Sequence, residues 1–360
     1  MNTIFKACLL AATGSIALSS MTYAQDTHEH HHDHSNAQTP ISIMGDHTHK
    51  KGEWMTSYRY RRMQMQGSRQ GTNSISPEDI VTTVANPNGP PSTLRVVPTE
   101  MTMEMHMLGA MYGVTDRFTV MAMAMYVKKT MDHVTFQGGA GTNRLGEFTT
   151  RSSGFGDTSV RGIYNLYETP TSQVNVTLGI SAPTGSIKEE DTVLSPMNTR
   201  PRLRLPYAMQ LGSGTWDALP GITYTGHKKK WGWGAQYNAT IRLESENSQG
   251  YRFGHRHSVS GWGSYKINKE FSINSLISAE TTGEIKGSDD QITAPVQTAD
   301  PENYGGDIVT FGAGFLYSPK HSALENLEFG ADIAVPVYQD LNGVQLERDW
   351  TLSAAIRYRF

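Results

Sequence analysis

Three groups of side chains in this sequence are of types that do chemistry. The first is "HEHHHDH", with His28, His30, His31, His32 and His34, followed by His47 and His49. Neutral imidazole suits Zn, Cu and Ni, and a run this dense supplies several ligands without a fold. The expectation is a tail that binds Zn or Cu; the plainer reading is a solvated segment with no role. The second group is a set of charges that alternate with apolar residues: Arg59, Arg61, Glu104, His106, Asp157, Arg161, Arg242, Glu244, Arg252, Arg256, Glu280, Glu328, Asp332, Arg357 and Arg359. If these share one wetted face, arginine is in excess there, and its fork of donors suits carboxylate or phosphate. The third group is methionine, at 101, 103, 105 and 107 and again at 121, 123 and 125. Thioethers suit Cu(I). Glu104 and His106, however, fall between the first four. If that pair faces water, the methionines face lipid as flexible apolar residues. Met63 and Met65 share the parity of Arg59 and Arg61 and stand apart from that argument.

Catalytic patterns are not evident, and no enzyme is expected. In "GHRHSVS", His255 and His257 alternate with Ser258 and Ser260, so one strand holds them on opposite faces. A nucleophile and its base need hydrogen-bond reach. "GSG" at 212–214 is too short for a nucleophile elbow. There is no phosphate-binding glycine loop and no zinc-protease spacing.

The elements that must carry these residues are strands. In "WGWGAQYNATIRLE", Trp231, Trp233, Ala235, Tyr237, Ala239, Ile241 and Leu243 alternate with Gly232, Gly234, Gln236, Asn238, Thr240, Arg242 and Glu244. Only period two makes that split. Twelve such segments are expected, near 54–66, 101–113, 118–128, 155–167, 173–183, 215–226, 230–244, 251–266, 270–282, 305–318, 325–338 and 346–360. Each is long enough for a tilted strand to cross a bilayer, which takes about 9–11 residues. Their connections tend to alternate long and short, the habit of outer-membrane barrels with tight periplasmic turns. A soluble sandwich uses strands of about 5–6 residues, half these lengths. The fold class is therefore an all-β, antiparallel, up-and-down transmembrane barrel.

The rest of the chain agrees. "ACLLAATGSIALSS" after Lys6, ending in "TYA" at Ala24, reads as a secretion signal over 1–24. Residues 25–50 read as a disordered, His-rich periplasmic tail, and 51–360 as the barrel. The sole cysteine, Cys8, falls within the signal, so the mature chain has no disulfide. The formal charge of −3 becomes −4 without Lys6, which excludes a nucleic-acid partner on charge grounds. Outside the N-terminus no apolar run approaches eighteen residues, so no helix is expected to span a membrane. An even strand number puts both termini in the periplasm. "WTLSAAIRYRF" alternates to the last residue and reads as the strand that closes the barrel. Its terminal Tyr-x-Phe resembles the signature read by the barrel-assembly machinery, with Phe360 as the contact.

Several stretches together resemble a proteobacterial outer-membrane family labelled as transporters or as a "MetA-pathway of phenol degradation" family. They are 45–67, 111–131, "GFGDTSV" (154–160), "SAPTGSI" (181–187), "LGSGTWDALPGITYTG" (211–226) and "NYGGDIVTFGAGFLYSP" (303–319). The resemblance implies an outer-membrane barrel and passage of small molecules; the label itself indicates no aromatic substrate. Three functions follow as expectations. One is passive passage of a small solute with a slight preference for anions. Another is a metal-linked membrane protein using the His-rich tail. The last is a structural barrel whose lumen is filled by arginine–carboxylate pairs. Twelve strands lie between filled barrels of about 8 and open pores of about 16, so strand number leaves the choice open.

Overall fold

The computed structural model describes residues 39–320 and 324–360. The expected signal over 1–24 and His28, His30, His31, His32 and His34 lie outside the described residues. Eleven long antiparallel strands form one closed wall: β1 Trp54–Gly71, β2 Val96–Thr115, β3 Phe118–Phe136, β4 Thr158–Thr169, β5 Ser172–Ala182, β6 Gly221–Lys228, β7 Trp231–Arg242, β8 Arg256–Lys266, β9 Phe271–Thr282, β10 Gly306–Tyr317 and β11 Leu327–Arg359. Each pairs with its sequence neighbour, and β11 pairs with both β10 and β1. The last strand reverses on itself. Gly306 and Gly71 both pair with Leu341, Gly343 has φ +56°, and the Gln339 side chain bonds both the amide and the carbonyl of Arg348. Asn-Gly is the pair a two-residue hairpin turn favours. Counting β11 twice gives the twelve staves expected. The wall closes at its last residue: Trp54 and Phe360 exchange N–H···O bonds of 3.0 Å.

Alternation sorts the two faces. Leu108, Leu178, Trp231, Ile277, Val337 and Phe360 are each at least half exposed and point outward. Around the end with the tight turns, aromatic pairs ring the outside, among them Trp54–Tyr112 and Trp231–Tyr265, with ring centroids 4.7 and 4.8 Å apart. An apolar band with aromatic edges is what hydrocarbon and its interface select. Arg59, Arg61, Arg161 and Arg357 point the other way, into the interior.

The wall is taller at the loop end than expected. β2 and β3 run on to Val96 and Phe136, and the strand Arg144–Phe155 pairs with the upper half of β3. That strand and β4 stack as one stave, interrupted at Gly156–Asp157. What reads in the sequence as a loop over 129–154 is thus mostly an extended hairpin. The long loop after β1 holds a short helix, α1 (Pro77–Thr83). The Ser76 hydroxyl accepts from the Asp79 amide at 3.1 Å, and Pro77 sits where a missing N–H costs nothing. Ile80 and Val81 of α1 pack on Leu94, Val97, Val134, Phe136 and Val344 as a cap at the loop end.

Arg95 anchors this cap. It is fully buried and donates to the carbonyls of Gln137 and Gly141 at 2.9 Å and Gly138 at 3.1 Å. Arg95→Met strips those bonds, each worth about 1.5–3 kcal/mol when one partner is charged. Protease cutting within 137–143 should rise sharply while the membrane-embedded wall stays resistant; mapping the nicks by mass spectrometry tests this.

The largest departure concerns the stretch before β1. Residues 39–50 are not a free tail. Thr39, Ile41, Ile43, Asp46 and His49 are each at most 5% exposed. Their backbone is held by inward side chains from around the barrel. Arg59 donates to the Ile41 carbonyl. The Ser42 amide donates to Asp332 at 2.9 Å. Gln236 donates to Met44 O at 2.7 Å, and Gln173 and Asn175 to Asp46 O at 2.7 Å. The His49 amide donates to Thr119 Oγ1 at 2.8 Å. This segment is a plug seated in the lumen at the turn end. Its polar composition reads as disorder in the sequence, but it suits a polar interior equally well.

Candidate functional site

A chamber of about 540 Å³ lies inside the barrel. Ile41, Ser42 and Met44 of the plug bound it on one side, and the inward-folded loop at Gln210, Leu211, Gly212 and Ser213 on the other. That loop is pinned at the interruption before β4. Asp157 accepts from the amides of Gly185 (3.0 Å) and Ser213 (2.8 Å) and from the Ser213 hydroxyl (2.8 Å). Lys129 donates to the carbonyls of Ala208 and Gln210 at 2.8 and 2.5 Å.

Arg59, Arg61, Lys129, Arg161, Arg242 and Arg256 line the chamber, against Asp157 and Asp217. Most of these charges are spent. Arg242 pairs with Asp217, Arg256 with Glu280, and Arg59 with the plug. Two are not. Arg61 Nε and Arg161 Nε are buried without a hydrogen-bond partner. Arg61 keeps only the field of Glu280 and Asp332, without an ion pair, and a buried donor without a partner is costly, so both Nε groups call for water or an anion from the chamber.

The expected lumen residues therefore divide. Arg59, Arg61, Asp157, Arg161, Arg242 and Arg256 converge on the chamber. Glu280 sits behind it between Arg256 and Arg348, and Asp332 holds the plug. Arg357 and Glu328 pair at 2.9 Å beneath the plug, while Arg359 shares Arg357's inward parity at the last residue of β11. Glu244 lies beyond the end of β7, where it accepts from the Trp216 amide, and Arg252 lies in an outer hairpin paired with Lys286. Neither lines the chamber.

Glu104 and His106 are corrected outright: they face outward. They share the parity of Leu108, which is 65% exposed, whereas Met105 and Met107 line the chamber. Tyr58 and Tyr60 on β1 supply their bonds, Tyr58 Oη to His106 Nδ1 at 2.8 Å and Tyr60 Oη to Glu104 at 2.5 Å. The parity rule misled because the strands outrun the hydrocarbon. From Trp54 to Tyr60 the outer row is uncharged and mostly aromatic over about 20 Å at 3.3 Å per residue; above it Arg62, Glu104 and Lys128 stand side by side. That row marks the polar edge of the membrane, not the lumen.

The methionines are accordingly on the inside, not on lipid. Met55, Met111 and Met121 are direct partners across β1, β2 and β3, as are Met65, Met101 and Met131. Met105, Met107, Met123 and Met125 line the chamber between these rows. Lys129 and Asp217 were not singled out in the sequence, although carrying β3 past residue 128 puts Lys129 on the inner face. His47 and His49 sit in the plug with ring centroids 5.0 Å apart. Among the described residues no three His, Cys, Asp or Glu side chains converge as a metal centre. His257 Nδ1 is 2.8 Å from Tyr237 Oη, and His255 Nδ1 accepts from the Arg242 amide.

A closed wall with an apolar belt, a charged interior and a lumenal plug defines a transmembrane β-barrel of the architecture found in outer-membrane channels. The chain belongs to the family described as "Putative MetA-pathway of phenol degradation", whose model matches residues 96–347. Among solved structures it is similar to an outer membrane channel from Pseudomonas putida F1, at 15% identity and a TM-score of 0.56, over 89% of this chain and 99% of that one. It also matches the Ralstonia pickettii toluene transporter TbuX at 11% identity and a TM-score of 0.43, over 87% and 90% of the two chains. No curated protein matches the sequence.

Proposed function

We propose that this protein is an outer-membrane channel for a small organic anion, with the turn end and both termini in the periplasm and Phe360 as the contact for the barrel-assembly machinery. The observation that carries the solute class is the pair Arg61 and Arg161. Their guanidiniums face a chamber of about 540 Å³ and have an unpartnered Nε each. Around them the wall is apolar: Met105, Met107, Met123, Met125, Leu211 and Phe253. A monocarboxylate with a compact apolar body satisfies both, its carboxylate on the forks and its body on thioether and ring. The likeness to an outer membrane channel supports passage as the role of the barrel. A neutral hydrocarbon would leave the two arginines without a partner.

The test is single-channel recording in planar bilayers, with benzoate and its neutral isostere benzyl alcohol as probes. Benzoate should block chloride current reversibly and benzyl alcohol should not. Arg61→Ala with Arg161→Ala should raise the half-blocking concentration by about tenfold or more, the loss expected when charge-assisted bonds of roughly 1.5–3 kcal/mol are removed. A baseline that stays closed in every salt, or equal behaviour of the two probes, would overturn the reading.

A further inference from the structure

We infer that the turn-end cavity enclosed by Met44, His47, Met55, Met107, Met111 and Met121 is a binding site for a soft monovalent cation, Cu(I) or Ag(I). The cavity is about 20 Å³ and lies beneath the larger chamber. That is room for one ion, since about 10–15 Å³ holds a single water. Met55, Met111 and Met121 stand side by side in one inward row across three strands and are each at most 6% exposed. Met44 reaches the same cluster from the plug.

The imidazole marks this as more than apolar packing. His47 Nδ1 lies 3.0 Å from Asp46 Oδ1. An ionised carboxylate can only accept, so Nδ1 carries a proton, and in the neutral ring Nε2 carries the lone pair. His47 Nε2 is buried with no hydrogen-bond partner. A histidine whose far nitrogen donates to a carboxylate is the usual outer-shell arrangement of a metal ligand. Methionine serving only to fill space does not account for that orphaned nitrogen.

The donor set selects the ion. Thioethers are soft and weakly basic, and soft ligands hold Cu(I) rather than hard or borderline divalent ions. Zinc prefers thiolate, imidazole and carboxylate, and no three such groups converge among the described residues. Asp46 supplies one carboxylate at the cavity; Arg59, which also lines it and donates to Ile41 O, keeps its positive charge there, so the thioethers and the imidazole must supply the affinity.

Silver(I) is the probe, because it needs no reductant. It would be titrated into the full mature chain in detergent, with its coordination read by X-ray absorption. Residues 25–38 contain histidines but no methionine. Sulfur scattering therefore reports a site in the barrel, which the Met111 and Met121 variants assign to this cavity rather than to the Met65–Met101–Met131 row, and the N-terminal run yields nitrogen and oxygen only. The expected spectrum has two or more sulfur neighbours and one nitrogen. Met111→Leu with Met121→Leu keeps the volume and should weaken Ag(I) at least tenfold with loss of the sulfur signal. His47→Gln, which leaves the barrel wall intact, should weaken it and remove the nitrogen. Heat-modified gel mobility identifies the folded barrel in each case. Scattering from nitrogen and oxygen alone in the wild type, or unchanged affinity in folded variants, overturns the site.

Discussion

A chain lacking residues 25–50 is expected to conduct severalfold more current per channel than the full mature chain. The plug is held by side chains from five strands, and it fills the turn end of the lumen. Its removal joins the chamber to the turn-end solvent. A single substitution should do the same by another route. Gly113 packs directly under the plug's exit, where an added Cβ would sit on the Lys50 carbonyl oxygen and within 2.8 Å of His49 O. Backbone cannot yield there as a flexible side chain would, so Gly113→Val should lever residues 49–50 out of the lumen. Gly45, midway along the plug, needs its positive φ of +77° for the bend, so the segment has little freedom to reseat. Unitary conductance, measured for wild type, deletion and Gly113→Val, decides the matter. If all three conduct alike, the plug does not obstruct the path.

The strands and their faces were legible wherever one side met hydrocarbon and the other water. Trp231 to Arg242 reads correctly residue by residue, because lipid and lumen make opposite demands on neighbouring positions. The same rule failed on β2 for a physical reason. At Glu104 and His106 the outer face has left the hydrocarbon and turned polar while the inner face carries Met105 and Met107, so polarity no longer tells inside from outside. Methionine compounds the ambiguity, since it is apolar enough for lipid and polarizable enough for a lumen. The plug was illegible because nothing local forms it. Residues 39–50 have neither helix nor strand, and their order comes from Arg59, Asp332, Gln173 and Gln236, all distant in sequence. Long-range satisfaction of backbone polar groups leaves no periodic trace. The unpartnered state of Arg61 and Arg161 is likewise a property of the assembled interior. Sequence placed both arginines on wetted faces, but only the fold shows that Asp157, Asp217 and Glu280 are spent elsewhere.

Glu280→Gln should have the largest effect on ion selectivity. The Glu280 carboxylate bonds Arg256 and lies 3.5 Å from Arg348, and it is mostly buried. Arg61 faces the adjoining chamber with no carboxylate of its own. Neutralising Glu280 at constant shape therefore leaves three guanidiniums along one side of the lumen, with Asp332 beside Arg61 as the remaining counter-charge. Charged belts select ions in narrow pores, and the added positive potential should shift the reversal potential in a KCl gradient strongly toward the chloride limit. The same change should destabilise the barrel. Removing one partner of a buried pair costs about 3–5 kcal/mol, and the lumenal setting, which admits water, brings the expected loss to the lower end. Denaturant unfolding in detergent reads the second effect and bilayer recording the first. The two are separable, because Glu280→Asp keeps the charge while shortening its reach: it should lose stability yet hold the wild-type selectivity. Should Glu280→Gln unfold more easily with no change in reversal potential, the belt is structural, and ions do not pass it.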